Sequence, residues 1–95
     1  MTSRLARLGG RLVRYRLTLL VQEVRGPMTV AEIVEALRRL GVEVPGRASK
    51  TVSDALRWEI HKGRVRRTAP ATYAFDQMPA STGRWMRAEL RNTPP

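Results

Sequence analysis

The chain contains no cysteine and one histidine, His61, among its 95 residues. Without thiols it forms neither a disulfide framework nor a thiolate metal site, and a single histidine cannot build a histidine metal cluster. The eight acidic residues are scattered, and no candidate nucleophile stands beside a base with a third orienting group. We therefore expect a protein with no bound metal, no cofactor and no enzymatic activity.

Long apolar runs are also missing. The longest, residues 17–21 (LTLLV), is far too short to cross a bilayer, which takes about 20 residues. The N-terminal residues carry several arginines but no continuous apolar segment and no cleavage site, so they do not resemble a secretory signal. We expect a cytoplasmic protein that does not act at a membrane.

Acidic charge is scarce, with eight Asp and Glu against 18 Lys and Arg, a net charge of +10 and a pI of about 11.7. Such a charge attracts polyanions, and arginine, which makes up nearly all of the basic residues, pairs bidentately with phosphate and guanine. A GC-rich genome would produce the same arginine bias. The basic residues concentrate in 1–16 and 47–67, whereas 29–44 carries more acidic than basic residues. This distribution predicts one basic binding face.

Apolar residues recur with helical spacing in three segments, which predicts helices over residues 11–25, 29–40 and 49–62, each followed by a glycine. Thr29 and Glu32 form a capping box at the start of the second helix, and Ser49 is the expected N-cap of the third. The predicted buried stripes are Val13, Leu17, Leu20, Val21 and Val24 in the first helix, Val30, Ile33, Val34, Leu37 and Leu40 in the second, and Val52, Leu56 and Ile60 in the third.

Two β-branched and aromatic runs, residues 64–68 and 72–75, flank Ala69-Pro-Ala71 and predict a hairpin that closes over the helices. A last helix is expected from a cap at Ser81 to Asn92. The fold class is thus mainly α with a small β-hairpin, a winged helix-turn-helix with an appended C-terminal helix. We divide the chain into a flexible basic arm (1–10), the winged helix-turn-helix domain (11–76), and the C-terminal helix and tail (77–95).

Five short pieces follow one another in a recognisable order: 28–33 (MTVAEI), 44–46 (VPG), 53–56 (SDAL), 62–64 (KGR) and 72–75 (TYAF). Through them, residues 12–75 resemble winged helix-turn-helix domains of the HARE-HTH type, which include the N-terminal domain of the bacterial RNA polymerase delta subunit. The resemblance implies a nucleic-acid-binding or transcription-associated module. One departure is the hairpin turn at 68–71, which lacks the glycine that such wings often use.

The exposed face of the third helix is the expected DNA contact, because Lys50, Ser53, Arg57 and His61 share the side opposite the apolar stripe. We expect Arg57 to read a guanine and Lys50 to meet a phosphate. Asp54 either reads the amino group of a cytosine or, the interpretation we favour, pairs locally with Arg57. The predicted DNA-binding residues are Arg47, Ser49, Lys50, Thr51, Ser53, Arg57 and His61 around the helix, Arg64, Arg66 and Arg67 on the hairpin, and Arg4 and Arg7 on the arm.

Some of these residues also allow a simpler interpretation. The hairpin arginines would enter a minor groove or meet phosphates, or else they protect an edge strand from aggregation. Arg4 and Arg7 would lie in a groove or only solvate the terminus. Trp58 either stacks on a base or, the interpretation we favour, packs against the hairpin.

The leading functional hypothesis is binding of double-stranded DNA by a bacterial transcription regulator or nucleoid-associated protein. A protein-interaction module accessory to RNA polymerase is the alternative from another class. RNA binding ranks last, because it usually needs exposed aromatic residues and the five in this chain are expected mostly in the core.

The last helix carries three apolar residues outside the expected three-helix core, Trp85, Met86 and Leu90. They pack either against the first helix of the same chain or against a second copy across a two-fold axis, and we expect a homodimer. Arg84, Arg87 and Arg91 are expected to face solvent.

Overall fold

The computed structural model describes residues 6–7 and 9–92, with side chains from residue 9 onward. Within this range the chain is mainly helical with a small antiparallel sheet, which confirms the expected fold class at that level. Of the described helices, none is both long enough and apolar enough to span a membrane. The elements are β1 (Ala6–Arg7), α1 (Gly10–Val24), β2 (Met28–Thr29), α2 (Val30–Arg39), β3 (Val42–Glu43), α3 (Ala48–His61), β4 (Val65–Ala69), β5 (Thr72–Phe75) and α4 (Ala80–Arg91).

The three predicted helices pack around one apolar core. Their stripes are buried as expected over most of their length, and Val65 of β4 closes the core from the hairpin side. Burial of this apolar surface provides the main driving force for the fold. The fully buried members are Val13, Leu17, Val21, Ile33, Leu37, Val52 and Leu56.

The prediction of burial is wrong for the last residue of each stripe. Val24, Leu40 and Ile60 are 48%, 49% and 39% exposed, because each lies in or just after the final turn of its helix, beyond the part that neighbouring elements cover. In α3 the stripe runs instead through Ala55 and Glu59, both of which are buried.

The helix starts show one correct and two wrong cap assignments. Thr29 and Glu32 form both hydrogen bonds of the capping box, at 3.1 and 2.8 Å. Ser49 and Ser81 are not caps, since α3 begins one residue earlier and α4 begins directly after Pro79. In α3 the Thr51 hydroxyl donates to the Pro45 carbonyl at 2.8 Å, which ties the first turn to the preceding loop.

The predicted hairpin is present and gains a third strand. β4 and β5 pair antiparallel, and β2 adds to the other edge of β5, with Met28 opposite Tyr73. A two-residue strand has no sequence periodicity of its own, so it was not predicted. Because β2 leads directly into α2, and because the Val30 N–H donates to the Ala71 carbonyl at 3.1 Å, the hairpin turn is attached to the start of α2.

The expected N-terminal arm falls partly outside the described residues, including Arg4 and the side chain of Arg7. The described part is not separate from the domain, since Ala6–Arg7 pairs in parallel with Val42–Glu43 and Gly10 is the first residue of α1. The backbone of residues 6–7 thus joins the fold beside the α2–α3 connection.

The final helix packs on α1 of the same chain. Met86 is 1% exposed and forms a second apolar cluster with Tyr15 and Leu19, and partly buried Leu90 contacts both clusters. Trp85 remains 49% exposed, with its ring 5.1 Å from that of Tyr15 in an edge-to-face contact. Met86 and Leu90 therefore have partners without a second copy, and the homodimer stays a prediction. Arg84, Arg87 and Arg91 are exposed, as expected.

The turn between β4 and β5 generates a stability prediction. Ala71 follows Pro70 with a φ of 53°, a left-handed conformation that costs a residue with a Cβ about 1 kcal/mol. We expect Ala71→Gly to raise the free energy of unfolding in urea by about 0.5 kcal/mol, after the entropy that glycine adds to the unfolded chain. Ala69→Gly, within strand β4, should lower it. A loss of stability in both variants would contradict this account of the turn.

Candidate nucleic-acid interface

A buried ion pair fixes the hairpin to α3. The Glu59 carboxylate is 0% exposed and accepts two hydrogen bonds from the Arg64 guanidinium, Nε to Oε1 at 2.7 Å and Nη2 to Oε2 at 2.9 Å. The Thr18 hydroxyl of α1 lies 2.6 Å from Glu59 Oε1 and donates to it. The bonds to Glu59 raise the pKa of Arg64 against the opposing effect of desolvation, so this guanidinium stays charged. One carboxylate thus connects α1, α3 and the start of β4.

Arg64 was predicted to contact DNA, and the structure gives it a different role. Its side chain is 17% exposed and its donors are directed to Glu59, so we leave it out of the candidate interface. A sequence signal for this pair exists, because Glu59 continues the spacing of Val52, Ala55 and Leu56 on the buried side of α3. A carboxylate at a core position requires a nearby cation.

The opposite face of α3 is exposed and charged. The side chains of Arg57, Lys50 and Asp54 are 82%, 69% and 49% exposed. Asp54 accepts a hydrogen bond from Lys50 Nζ at 2.8 Å, which lowers the pKa of its carboxyl group, whereas the Arg57 Nη1 atom is 3.8 Å away. The expected partner of Asp54 was Arg57, and the closer partner is Lys50. Arg57 therefore keeps a guanidinium that is not hydrogen-bonded to Asp54.

The remaining predicted residues around α3 separate into two groups. Arg47, Ser49 and His61 are exposed and extend the charged face at both ends of the helix, with Ser53 half-buried between them. Thr51 uses its hydroxyl on Pro45, so its role is structural.

The hairpin contributes two exposed arginines on opposite faces. Arg66 lies opposite Ala74 and Arg67 opposite Tyr73, and side chains alternate between the faces of a strand. Their internal contacts are weak: Arg66 Nη1 is 3.9 Å from Asp76 Oδ1, and Arg67 Nε donates to the Ala69 carbonyl at 3.4 Å. Both guanidinium groups are available to an external anion. Because they lie on opposite faces of the strand, they would bind separate anions and do not form one cluster.

Trp58 was expected to pack against the hairpin, but nearly half of the residue is exposed and its ring contacts two cations. The exposed fraction of Trp58 is 46%. Two cations lie beside its ring, with Arg14 Cζ 4.9 Å and Lys62 Nζ 5.3 Å from the ring centroid. The ring lies toward α1, because Arg14 of α1 is one of the two cations beside it. The spacing of Trp58 and Lys62 is visible in the sequence, whereas the approach of Arg14 depends on how α1 crosses α3.

Comparison of the chain with family models, curated proteins and solved structures found no match in any of the three.

Within residues 6–7 and 9–92, no three His, Asp or Glu side chains come together in a group that could hold a metal ion. The candidate interface is thus built from α3 and hairpin side chains, and its chemistry is that of exposed cations.

The buried ion pair predicts a large stability effect. Arg64→Ala should lower the free energy of unfolding by about 3–5 kcal/mol, because it leaves the buried Glu59 carboxylate without its cation. Replacing both partners by leucine should recover most of that loss. Urea unfolding monitored by circular dichroism measures both effects.

Arg66→Ala is the matched control on the same strand and should change stability by no more than about 0.5 kcal/mol. If Arg64→Ala and Arg66→Ala have equally small effects, the ion pair does not hold the hairpin.

Proposed function

We propose that residues 11–76 form a winged helix-turn-helix domain that binds double-stranded DNA, with the protein acting in the bacterial nucleoid as a transcription regulator or nucleoid-associated protein. The observation that carries the proposal is the exposed, cationic face of α3 beside a hairpin with two exposed arginines. The elements include a helix, a short strand, two helices and a hairpin that pairs with the short strand, an order that supports the winged helix-turn-helix assignment.

In this proposal α3 is the recognition helix. Its 14 residues extend over about 21 Å, and a single α-helix fits the width of the major groove of B-DNA. Arg57 is the candidate for base reading, because its guanidinium is free of hydrogen bonds to Asp54 and an arginine can donate to both O6 and N7 of guanine. Lys50 and Arg47, nearer the start of the helix, are candidates for phosphate contacts.

Asp54 restricts how α3 can approach a duplex. Its carboxylate repels phosphate, and its hydrogen bond to Lys50 neutralises it locally. The groove edge next to Asp54 must then present a donor, such as the amino group of cytosine. Asp54 therefore works as a selectivity element in this proposal and not as a source of affinity.

The hairpin is the wing. Because Arg66 and Arg67 project from opposite faces of β4, they meet different parts of the DNA backbone, or one of them enters the minor groove. Arg64 holds the wing against α3 through Glu59 and makes no DNA contact.

Arg57→Ala should weaken binding to a preferred site by about 1–3 kcal/mol, with a much smaller effect on random DNA. A duplex selection on the wild-type protein supplies the preferred site, and fluorescence anisotropy with both duplexes gives the two affinities. Arg87→Ala, which removes an exposed arginine from α4, is the matched control and should leave both unchanged. If Arg57→Ala weakens binding to the two duplexes equally, Arg57 contacts a phosphate and does not read a base.

Salt dependence tests the wing. If about five phosphates are neutralised, the logarithm of the affinity should fall with the logarithm of salt concentration at a slope of about −4 to −5, and removal of each wing arginine that meets a phosphate should flatten the slope by about one. Replacing Arg66 and Arg67 together should then flatten it by up to about two.

The charge-matched control for the wing variants is Arg38→Ala on α2, since Arg38 is also exposed but donates to Glu35 at 2.7 Å. It should leave the slope unchanged. A slope that the wing variants do not alter would remove the hairpin from the interface.

A further inference from the structure

We propose that Trp58 is a stacking site for an unpaired base, so that the protein binds duplex DNA with an adjoining single strand more tightly than a blunt duplex. This inference rests on the proposed DNA binding by α3 and specifies the kind of nucleic acid that the interface prefers. It starts from the position of the two tryptophans, since both were expected to be packed and both are about half exposed.

The surroundings of Trp58 differ from those of a packed core residue. Burial of an indole ring is favourable in free energy, and a ring that stays in water does not gain it. Nevertheless, 46% of Trp58 remains exposed, although an apolar core lies beneath both α1 and α3. Its close charged neighbours are the Arg14 guanidinium and the Lys62 ammonium. Exposed aromatic rings combined with cations that follow a phosphate backbone are the features with which proteins bind single strands.

Arg14 and Lys62 are held to different degrees. Arg14 is half-buried, its Nε atom is buried without a hydrogen-bond partner among the described residues, and its Cζ atom lies 4.9 Å from the centre of the indole ring. Lys62 is fully on the surface, at the C-cap of α3, and its long side chain can move to a phosphate. A base that stacks on Trp58 would therefore displace the Lys62 ammonium, which then pairs with the phosphate of that nucleotide.

The position on α3 gives the base a route from the duplex. Trp58 follows Arg57 in the chain and lies about 100° around the helix from it, on the side toward α1. When Arg57 occupies the major groove, Trp58 borders the DNA backbone outside the groove. A paired base cannot reach a ring there, whereas a base at the end of a duplex or in an opened segment can.

Trp85 provides a matched comparison within the same chain. It is 49% exposed, close to the value for Trp58, but its ring contacts Tyr15, and the nearest aromatic–cation pair beside it places Arg11 over Tyr15. It also lies on α4, away from the recognition helix in the chain. Equal exposure with different neighbours makes Trp85 the control for a general effect of losing a surface tryptophan.

The experiment measures binding to one labelled DNA duplex by fluorescence anisotropy at a fixed salt concentration. The duplex is either blunt or carries a single-stranded tail of six thymidines, six abasic sites or six uridine ribonucleotides. We expect the thymidine tail to strengthen binding by the wild-type protein at least about fivefold over the abasic tail, which has the same phosphates but no bases. The uridine tail distinguishes DNA from RNA as the source of the unpaired base.

Trp58→Leu should remove the advantage of the thymidine tail and leave the affinity for the blunt duplex within about twofold of wild type. Trp58→Phe should retain most of the advantage, because phenylalanine also stacks, and Trp85→Leu should retain all of it. Unfolding in urea checks that the variants are folded. In Trp85→Phe, Trp58 is the single indole, and the thymidine tail should quench its fluorescence in a saturable way.

Three results would overturn the inference: equal affinity for the thymidine and abasic tails, equal weakening of blunt and tailed duplexes by Trp58→Leu, or loss of the tail advantage in Trp85→Leu. In each case tight binding of the blunt duplex that depends on Arg57 would leave the proposed function intact. Conversely, binding of the tailed form with no measurable affinity for the blunt duplex would support the stacking site and overturn duplex DNA binding.

Discussion

The buried carboxylate of Glu59 is the constraint on which the arrangement of α3 and the hairpin depends. A buried charge without a partner is costly, so the chain must bring a cation to it, and Arg64 reaches it from the first residues after α3. Because Thr18 of α1 also donates to Glu59, the carboxylate lies where three elements meet. The position of β4 relative to α3, and with it the position of Arg66 and Arg67, follows from this contact.

The ion pairs also decide where the excess charge lies. Glu59 neutralises Arg64 inside the domain, and Asp54 accepts a hydrogen bond from Lys50 on the surface. The basic excess of residues 47–67 therefore remains on exposed side chains at the helix ends and on the wing. A local charge taken from the sequence therefore does not show which side chains carry the exposed charge. The exposed cations of this segment are Arg47, Lys50, Arg57, Lys62, Arg66 and Arg67, of which Lys50 is hydrogen-bonded to Asp54.

The sequence predicted features that depend on local chemistry and missed those that depend on packing. Helical periodicity located α1, α2 and α3 to within a residue or two, and the capping box identified the start of α2. The two-residue strands have too few residues to show a pattern, and exposure at the helix ends depends on which neighbour covers the final turn. The role of Arg64 was in principle visible from the spacing of Glu59, whereas the cations around Trp58 were not, since Arg14 reaches the ring only through the crossing of α1 and α3.

The contacts of α1 explain why a chain of this size needs α4. One face of α1 packs into the main core with Val13, Leu17 and Val21. A second apolar surface on the same helix is formed by Tyr15 and Leu19, which lie outside that stripe. Met86 covers that second surface, and the Arg11–Glu89 contact at 3.2 Å lies beside it. A helix with apolar residues on two faces must be covered on both, so α1 is the central helix of the molecule. The helix that the sequence pattern set apart as an appendage is thus part of the layer that buries α1.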